Sequence, residues 1–452
     1  MLTRIVVGNF KSFDEITDLN MVSSSKIRTK ADHRVVVAPN LKLLRHAVIY
    51  GANASGKSNL IALISFFTEV VSNELPVNSP KLYCRNREEN RNKESIFEIQ
   101  MELEGRFFAY GFRALLAERR ISEEWLCELH SGGRSSSIYE RECGKPPILG
   151  KGLKLTEEEK QRFSTYASDF ADNMTGLFLN ELNRGKKYQA DSGFSIFSKV
   201  YKWIKEKIVV ITPNSRFINF QRYYNDDSLS EINRLIRTFD TGVSDIHIEE
   251  TDIGELEKTL PQPIFKTIMN KLLSSHNENP NVPAHISGRS NTAFFSIEIS
   301  QEGNVKVKTI KMKHGKSICD FDFDEESDGT RRLFDLMDML LKKEDDTVFF
   351  VDELERSLHP KLTEHFLELF SEHHAHHKVQ LVFTTHEASI MDQKLFRRDE
   401  FWFIERDREN NSRLYSLDMF KERYDKKLSK AYLEGRYGAI PVFKKIDFLE
   451  DK

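Results

Sequence analysis

The sequence has few of the features that specialise a chain for secretion, membranes or metal-rich folds. Its 452 residues include four cysteines, and no two of them form a C-x-x-C pair. This usage argues against a disulfide framework and a zinc site, and it is typical of a reducing compartment. No segment approaches the ~18–20 consecutive apolar residues of a membrane span, and residues 1–5 lack the apolar core of a signal peptide. The sequence therefore predicts a cytoplasmic protein with no membrane association.

The chain also lacks an excess of charge of either sign. Lysine and arginine total 67 against 70 aspartate and glutamate residues, which gives a formal net charge of −3. Global charge of this kind does not by itself indicate a nucleic-acid partner, although a local basic patch remains compatible with it. The length allows two or three domains with a large core.

The most informative segment of the sequence joins an apolar strand to a glycine-rich loop and an apolar helix. Residues 47–60 read AVIYGANASGKSNL, which contains the pattern G-x-x-x-x-G-K-S at Gly51–Ser58. The two glycines allow backbone N–H groups to converge on phosphate oxygens, Lys57 supplies positive charge, and the Ser58 hydroxyl can ligate Mg²⁺. The following helix adds its dipole to the same anion site. We name Gly51–Ser58 the phosphate loop and predict that it binds a nucleoside triphosphate.

Two further apolar strands end in residues suited to nucleotide chemistry. Residues 347–351 lead into Asp352 and Glu353. In a nucleotide hydrolase at this position the first acid orients the Mg²⁺ shell, and the second polarises the attacking water. Residues 381–385 lead into His386, which can sense or stabilise charge at a γ-phosphate. Together with the phosphate loop, these strand ends predict a nucleoside triphosphate hydrolase.

A serine–glycine pair precedes a segment with helical spacing. Ser327 and Gly329 stand shortly before Leu333–Leu341, the predicted helix, so they offer a helix N-terminus to an anion. In this context the chain resembles the ABC-class ATPases, in the branch of structural-maintenance-of-chromosomes, RecF-like and overcoming-lysogenization-defect proteins. Residues 327–329 lie where that class has its signature motif, residues 354–360 resemble its D-loop, and His386 resembles its switch histidine.

The resemblance implies a fold, a cofactor set and a list of site residues. The expected fold is α/β, an ABC-type ATPase head with a mixed sheet, two discontinuous lobes and an inserted helical subdomain. ATP and Mg²⁺ are the expected cofactors. The residues implied for catalysis are Glu353 and His386; those implied for nucleotide binding are Gly51, Asn53, Ala54, Ser55, Gly56, Lys57, Ser58, Asn59, Ser327 and Gly329; and those implied for the metal are Ser58 and Asp352.

Changes in composition suggest three regions. Residues 1–150 are expected to form an N-terminal ATPase lobe with the phosphate loop, and 151–290 a mainly helical insertion. Residues 291–452 are expected to form a C-terminal lobe with the signature, the Asp352–Glu353 strand, the D-loop and the switch histidine. The Ser-, His- and Asn-rich stretch 274–292 predicts a surface loop.

Several patterns have two interpretations. Basic residues alternate with aromatic ones over 184–207, which suits either nucleic-acid binding or an amphipathic helix with buried aromatics, and we favour the second. The histidines of residues 373–377 suit either a metal site or a solvated helix end, and we favour the second. Residues 9–12 resemble a nucleotide-contacting turn but equally read as a plain strand-end turn. Gln100 is a candidate Q-loop glutamine that also reads as a solvent-facing strand residue.

Within the ABC class, three segments resemble stand-alone bacterial ATPases of phage-defence and abortive-infection modules, such as the RloA, AbiL and AriA groups. The segments are DELERSLHP at 352–360, TTH at 384–386 and the tail Leu433–Pro441. The resemblance implies a nucleotide-dependent switch that forms a homodimer or higher homo-oligomer through ATP-sandwiching heads and controls a separately encoded effector, for example a nuclease. The alternative is a DNA-repair or chromosome-associated ATPase that acts directly on DNA.

Overall fold

The computed structural model describes residues 1–213, 224, 226–289, 294–342, 344–420 and 427–441, and the statements below concern these residues. They contain nineteen strands. In chain order these are β1 (Leu2–Gly8), β2 (Thr17–Asn20), β3 (Arg34–Ala38), β4 (Leu41–Leu44), β5 (His46–Tyr50), β6 (Ser95–Leu103), β7 (Arg106–Leu115), β8 (Arg120–Leu129), β9 (Ser135–Glu142), β10 (Ile148–Leu149), β11 (Ile208–Ile211), β12 (Val243–Thr251), β13 (Ala284–Arg289), β14 (Phe294–Ile299), β15 (Val305–His314), β16 (Val348–Val351), β17 (Gln380–Thr385), β18 (Phe401–Arg406) and β19 (Ser412–Ser416).

Ten α-helices accompany the strands. They are α1 (Lys57–Ser72), α2 (Glu157–Phe170), α3 (Phe178–Asn183), α4 (Ser195–Lys202), α5 (Asp226–Ile236), α6 (Ile253–Thr259), α7 (Gln262–Glu278), α8 (Asp328–Leu341), α9 (Pro360–His373) and α10 (Leu428–Leu433). Local sequence explains where several of them begin. At α2, for example, Thr156 and Glu159 form a capping box in which each side chain accepts the other residue's backbone N–H.

The described residues form two compact units. The first comprises residues 1–213, 344–354, 371–420 and 427–441, and the second comprises 224, 226–289, 294–342 and 355–370. These units differ from the regions suggested by composition, because residues 151–213 belong to the first unit and 294–342 to the second. The segment 151–290 contains strands β11 to β13 as well as helices α2 to α7.

A six-stranded sheet in the first unit has the order β11-β16-β17-β5-β18-β19. The first five strands are parallel, and β19 is antiparallel to β18. Strands β5, β16 and β17 are buried along their whole length, as expected for parallel strands with both faces covered. This mixed sheet confirms the predicted α/β class.

A seven-stranded antiparallel sheet lies in the same unit, in the order β10-β9-β8-β7-β6-β1-β2. Strands β6 and β7 form a hairpin that turns at Glu104 (φ 52°) and Gly105 (φ 81°). Side chains of both sheets and of α1 share one core, in which Phe66 packs between Phe10 and Phe97 with ring centroids 5.2 and 5.1 Å away.

Helix α3 is fixed to this antiparallel sheet by a buried carboxylate. Glu124 on β8 accepts hydrogen bonds from the backbone N–H groups of Phe178 and Leu179, at 2.7 and 3.0 Å. The hydroxyls of Tyr110 and Tyr139 donate to the same carboxylate at 3.0 and 2.6 Å. Glu124 is 1% exposed, and the buried Arg141 guanidinium lies 3.6 Å from its carboxylate, so a cation and four hydrogen-bond donors surround this group.

The aromatic residues of the 184–207 segment point into the core of the first unit. Phe194, Phe197 and Trp203 are at most 4% exposed. Two of the interspersed lysines form ion pairs of 2.6 Å, Lys186 with Glu181 and Lys199 with Glu104. The packing interpretation of this pattern is therefore confirmed.

The second unit contains a four-stranded antiparallel sheet, in the order β12-β15-β14-β13, packed against α6 and α7. The predicted loop over 274–292 is wrong in its described part: α7 continues to Glu278, and β13 pairs with β14 along its length. Polar residues gave this stretch the composition of a loop, but the backbone pairing with β14 satisfies the strand's hydrogen bonds.

None of the helices in the described part of the chain combines the length and the apolar character needed to cross a bilayer.

Candidate functional site

The predicted nucleotide-site residues follow adjacent parallel strands. The phosphate loop follows β5, Asp352 and Glu353 follow β16, and His386 follows β17, which lies between those two strands. Because carboxyl ends of parallel strands meet at one edge of a sheet, the structure brings the phosphate loop at 51–58 together with Asp352, Glu353 and His386, which are far away in sequence.

The phosphate loop has the backbone that its glycine pattern predicts. Ala54 (φ 61°) and Gly56 (φ 115°) are both left-handed, and α1 begins directly afterwards at Lys57. A Cβ at position 56 would collide with the Ser412 hydroxyl and lie 2.9 Å from that of Ser12. Glycine is therefore required here for two reasons: a residue with a Cβ would be strained at this φ, and there is no room for the Cβ.

The Lys57 ammonium is folded into the loop. It donates to the backbone carbonyls of Gly51 at 2.8 Å and Ala52 at 3.0 Å, and it lies 3.4 Å from His386 Nδ1. The side chain is 5% exposed. A positive charge is thus held at the base of the loop, where the N-terminus of α1 also favours an anion.

The phosphate loop borders a cavity of about 440 Å³. Eight of the predicted residues line it, together with Arg406: they are Asn53, Ala54, Gly56, Lys57, Ser58, Asn59, Glu353 and His386. Gly51 and Ser55 lie on the inner side of the loop instead, since a Cβ at position 51 would collide with the buried Ser55 hydroxyl. The cavity is lined mainly by polar groups, as a site for a charged ligand requires.

A threonine of β17 holds the two acidic residues after β16, Asp352 by its carboxylate and Glu353 by its backbone. The Thr384 hydroxyl donates to Asp352 Oδ1 at 2.6 Å and accepts the backbone N–H of Glu353 at 2.9 Å. Asp352 is 5% exposed, whereas Glu353 turns towards the cavity through a left-handed backbone (φ 48°). A glutamate at positive φ is uncommon, and such conformations concentrate at functional sites.

His386 lies at the cavity between a cation and two carboxylates. Desolvation within the cleft and the Lys57 ammonium lower the pKa of His386, while Glu353 and Asp352 oppose that shift. The net lowering favours the neutral imidazole at neutral pH, and a neutral ring can both donate and accept a hydrogen bond.

The signature residues lie in the second unit. The Ser327 hydroxyl accepts the backbone N–H of Thr330 at 3.1 Å and caps α8, and a Cβ at Gly329 would lie 2.8 Å from the carbonyl oxygen of Ser357. Gly329 is thus in close contact with the D-loop segment. The predicted start of this helix at Leu333 is wrong, because α8 begins at Asp328, where the Ser327 cap satisfies the first turn.

Two of the patterns with open interpretations have structural roles. Asn9 is 4% exposed; its amide donates to the carbonyls of Asn90 and Lys93, at 2.9 and 2.8 Å, and its oxygen accepts from Cys84 N. Gln100 lies on β6 and donates to Glu98 at 2.8 Å. Both residues serve the antiparallel sheet and its turn.

The histidine run at 373–377 is split by a helix end. Helix α9 ends at His373, so the later histidines do not share a helical face with it. The Arg45 guanidinium donates to the carbonyls of Ala375, at 2.9 Å, and His377. Within the described residues, the one cluster of three or more His, Cys, Asp or Glu side chains with ligand atoms close enough to share a cation is a different set, namely His33, His46 and Glu400.

His33, His46 and Glu400 form a buried hydrogen-bonded triad. Each imidazole Nδ1 lies 3.0 to 3.2 Å from the Glu400 carboxylate, and all three side chains are at most 4% exposed. Burial alone would raise the pKa of Glu400, but the hydrogen bonds from the two histidines outweigh it and lower the pKa to about 2. Burial lowers the pKa of His46 despite its carboxylate partner.

Three residues at this edge of the sheet were missed by sequence reasoning: Thr384, Arg406 and Ser412. Thr384 stands within the TTH segment, so its place two residues before His386 was a usable signal. Ser412 donates to the Ser55 carbonyl at 2.6 Å and contacts Ser12 Oγ at 2.7 Å, yet no local motif surrounds it. Ser12 Oγ in turn accepts from Asn59 at 2.7 Å, so the loop is held from two sides.

Comparison with known proteins identifies a family over most of the chain. The family described as "AAA domain, putative AbiEii toxin, Type IV TA system" matches residues 47–392. No curated protein matches the chain. The chain has 14% identity to an SmcHead solved bound to the C-winged helix domain of ScpA, covering 92% of this chain and 99% of that one with a TM-score of 0.37. It also has 14% identity to the SMC head domain from Thermotoga maritima, covering 92% and 98% with a TM-score of 0.33. The family match spans the phosphate loop, both carboxylates and His386, and the chain belongs to this family of AAA domains.

Proposed function

We propose that this protein binds and hydrolyses ATP at the edge formed by β5, β16 and β17. The observation that carries the proposal is the shared cavity, which is lined by Lys57 of the phosphate loop, Glu353 and His386. These residues are an anion-binding cation, a carboxylate and a lowered-pKa imidazole, and they come from three strand ends. Such a set of groups can bind the phosphates, position the attacking water and stabilise the charge that develops during phosphoryl transfer.

Each group has a role that its surroundings support. Backbone N–H groups of the phosphate loop and Lys57 bind the phosphates, and Asn53, Ala54 and Asn59 border them. Glu353 polarises the attacking water as general base. His386 hydrogen-bonds the terminal phosphate as charge develops on it.

The oxygens of Ser58 and Asp352 suit a magnesium ion. Ser58 is exposed at the cavity, and Asp352 supplies a carboxylate oriented by Thr384. Hard cations such as Mg²⁺ prefer oxygen ligands of this kind. When bound, the ion would neutralise phosphate charge during hydrolysis.

At the level of the cell, we propose a nucleotide-dependent switch in an antiviral defence module. The family description, which names a toxin of a toxin–antitoxin system, supports a defence setting. The switch would be a homodimer or higher homo-oligomer, with Ser327 and Gly329 of one subunit capping the nucleotide of another. Its output would be the retention or release of a separately encoded effector, for example a nuclease.

Nucleotide titration of wild-type protein and Lys57→Ala tests the ATP-binding proposal. We expect the variant to lose Mg·ATP binding, because the loop loses the cation positioned for the terminal phosphates, and to keep its thermal midpoint to within a few degrees. Lys361→Ala is a matched control, since Lys361 is an exposed lysine paired with Glu364. Equal ATP affinity of Lys57→Ala and wild type would refute the proposed phosphate loop.

Co-purification tests the switch. The protein is expressed beside the products of its neighbouring genes, as wild type and as Glu353→Gln, and each complex is washed with and without Mg·ATP. The proposal expects one neighbour to be retained in a nucleotide-dependent manner. Retention of none, combined with an ATPase rate that DNA stimulates, would instead favour a repair ATPase acting directly on DNA.

A further inference from the structure

Arg406 lies at the proposed nucleotide site although no sequence motif marks it. It is the last residue of β18, which runs parallel to β5 with Phe403 opposite Tyr50. The carboxyl end of β18 therefore lies at the same sheet edge as the phosphate loop, and Arg406 lines the same cavity as Lys57.

The hairpin that carries Arg406 is fixed directly to the phosphate loop. Arg406 is the cross-strand partner of Ser412, whose hydroxyl donates to the Ser55 carbonyl at 2.6 Å. The Ile404 carbonyl lies 2.5 Å from where a Cβ at position 51 would be, so β18 packs closely against the first residue of the loop. Because two contacts set the hairpin against the loop, the position of Arg406 relative to Lys57 is determined by the fold.

The charge of Arg406 is available to an anion. Its side chain is exposed, and no carboxylate of the described residues lies within 4.0 Å of its guanidinium. Arg413, on the other strand of the hairpin, instead pairs with Asp407 at 3.5 Å. An ATP molecule brings about four negative charges, and a guanidinium presents two parallel donors that match phosphate oxygens.

We propose that Arg406 binds phosphate oxygens of the nucleoside triphosphate, as a second cation beside Lys57. This inference rests on the proposed ATP site and adds a positioning residue from β18 to it. It assigns the β18–β19 hairpin two connected roles: Ser412 holds the loop, and Arg406 contacts the ligand that the loop binds.

The test is a titration of the full chain with fluorescent Mg·ATP and Mg·GTP analogues, using wild type, Arg406→Ala, Arg406→Lys and Arg408→Ala. Arg408 is a matched control because it is exposed in the same hairpin and does not line the cavity. Loss of one charged contact should weaken binding of both nucleotides about 10- to 100-fold in Arg406→Ala. Arg406→Lys should recover part of the affinity because it keeps the charge but not the fork, and Arg408→Ala should bind as wild type.

Each other outcome overturns the inference. Wild-type affinity in Arg406→Ala would show that the guanidinium does not contact the ligand. A loss for Mg·ATP with no loss for Mg·GTP would indicate a contact with the base instead of the phosphates. If wild type binds nucleotide, Lys57→Ala does not and Arg406→Ala binds as wild type, only the proposed role of Arg406 is wrong. If wild type itself binds no nucleotide, the proposed ATP site is wrong as well.

Discussion

The hydroxyl of Thr384 donates a hydrogen bond of 2.6 Å to the carboxylate of Asp352. The same oxygen accepts the backbone N–H of Glu353 at 2.9 Å. One buried side chain on β17 therefore holds the carboxylate of Asp352 and the backbone of Glu353, and it does so from the residue two before His386. The two hydrogen bonds tie the end of β16 to β17 at the proposed site.

Thr384→Val should impair hydrolysis more than binding. Valine keeps the shape of threonine but leaves the Asp352 oxygen and the Glu353 N–H without their shared partner. The free energy of unfolding should fall by about 1–3 kcal/mol. The ATPase rate should fall by about 10-fold or more because the acids lose their orientation.

Chemical denaturation and phosphate release measure these two effects. Thr384→Ser, which keeps the hydroxyl, should restore most of the activity. Thr363→Val is a control for loss of a buried hydroxyl, because Thr363 Oγ1 has no hydrogen-bond partner among the described residues. If Thr384→Val and Thr363→Val hydrolyse ATP equally well, the orienting role of Thr384 is incorrect.

Gly56→Ala should abolish nucleotide binding while leaving the protein folded. The new methyl group would collide with Ser412, and a residue with a Cβ is strained at a backbone φ of 115°. The phosphate loop must therefore change its conformation. Gly105→Ala is the matched control, since Gly105 also has a positive φ (81°) but has open space around its Cβ position. Calorimetric titration with Mg·ATP should show binding by the control and none by Gly56→Ala; comparable affinities would contradict the loop geometry.

The proposed composite site predicts complementation between two inactive variants. Lys57→Ala removes one subunit's phosphate loop, and Ser327→Arg blocks its signature, so a mixed dimer retains one interface with both motifs intact. Mixing should therefore recover a fraction of wild-type ATPase activity. Ser327→Arg also removes the cap of α8, so its thermal midpoint must be recorded to show that it remains folded. No recovery in mixed dimers verified by differential tagging would indicate self-contained sites.

The buried triad predicts a pH-dependent stability. The pKa of His46 is lowered in the folded state, so below about pH 6.5 the unfolded state binds a proton that the folded state does not. The free energy of unfolding should consequently fall as the pH drops from 7.5 to 5.5. Glu400 contributes in the same direction at lower pH: its stabilisation is complete above about pH 4.5 and is lost as the pH approaches 2.

Thermal midpoints of wild type and His46→Asn across that range provide the check. The asparagine amide can still donate to Glu400 but does not titrate, so its midpoint should decrease less between pH 7.5 and 5.5. The comparison is of slopes, since the substitution itself costs stability at every pH. Identical slopes would show that His46 does not titrate differently on unfolding.

The parts of the fold that sequence predicted are those with strong local signals. The phosphate loop follows a glycine pattern, and the buried strands β5, β16 and β17 coincide with apolar runs. The resemblance to the ABC-class ATPases implied that these strands lie side by side, because local sequence does not determine the strand order in a sheet.

The residues that sequence reasoning missed are those whose position depends on distant pairing. Arg406 and Ser412 reach the loop only because β18 aligns beside β5 and β19 folds back on β18. The start of α8 was misplaced because an Asp-Gly pair resembles a turn, whereas Ser327 caps a helix that includes both residues. The composition of β13 indicates a loop, but the segment is a strand because it pairs with β14.

The proposed ATP hydrolysis is tested most directly by phosphate release from Glu353→Gln, measured in the same preparation as Mg·ATP binding. Glutamine preserves the size of the side chain but cannot accept the proton of the attacking water. The general-base role of Glu353 predicts that the variant binds Mg·ATP with an affinity close to that of wild type and releases phosphate at least about 100-fold more slowly. Phosphate release at the wild-type rate would contradict it, because the carboxylate that faces the phosphate loop would then have no part in hydrolysis.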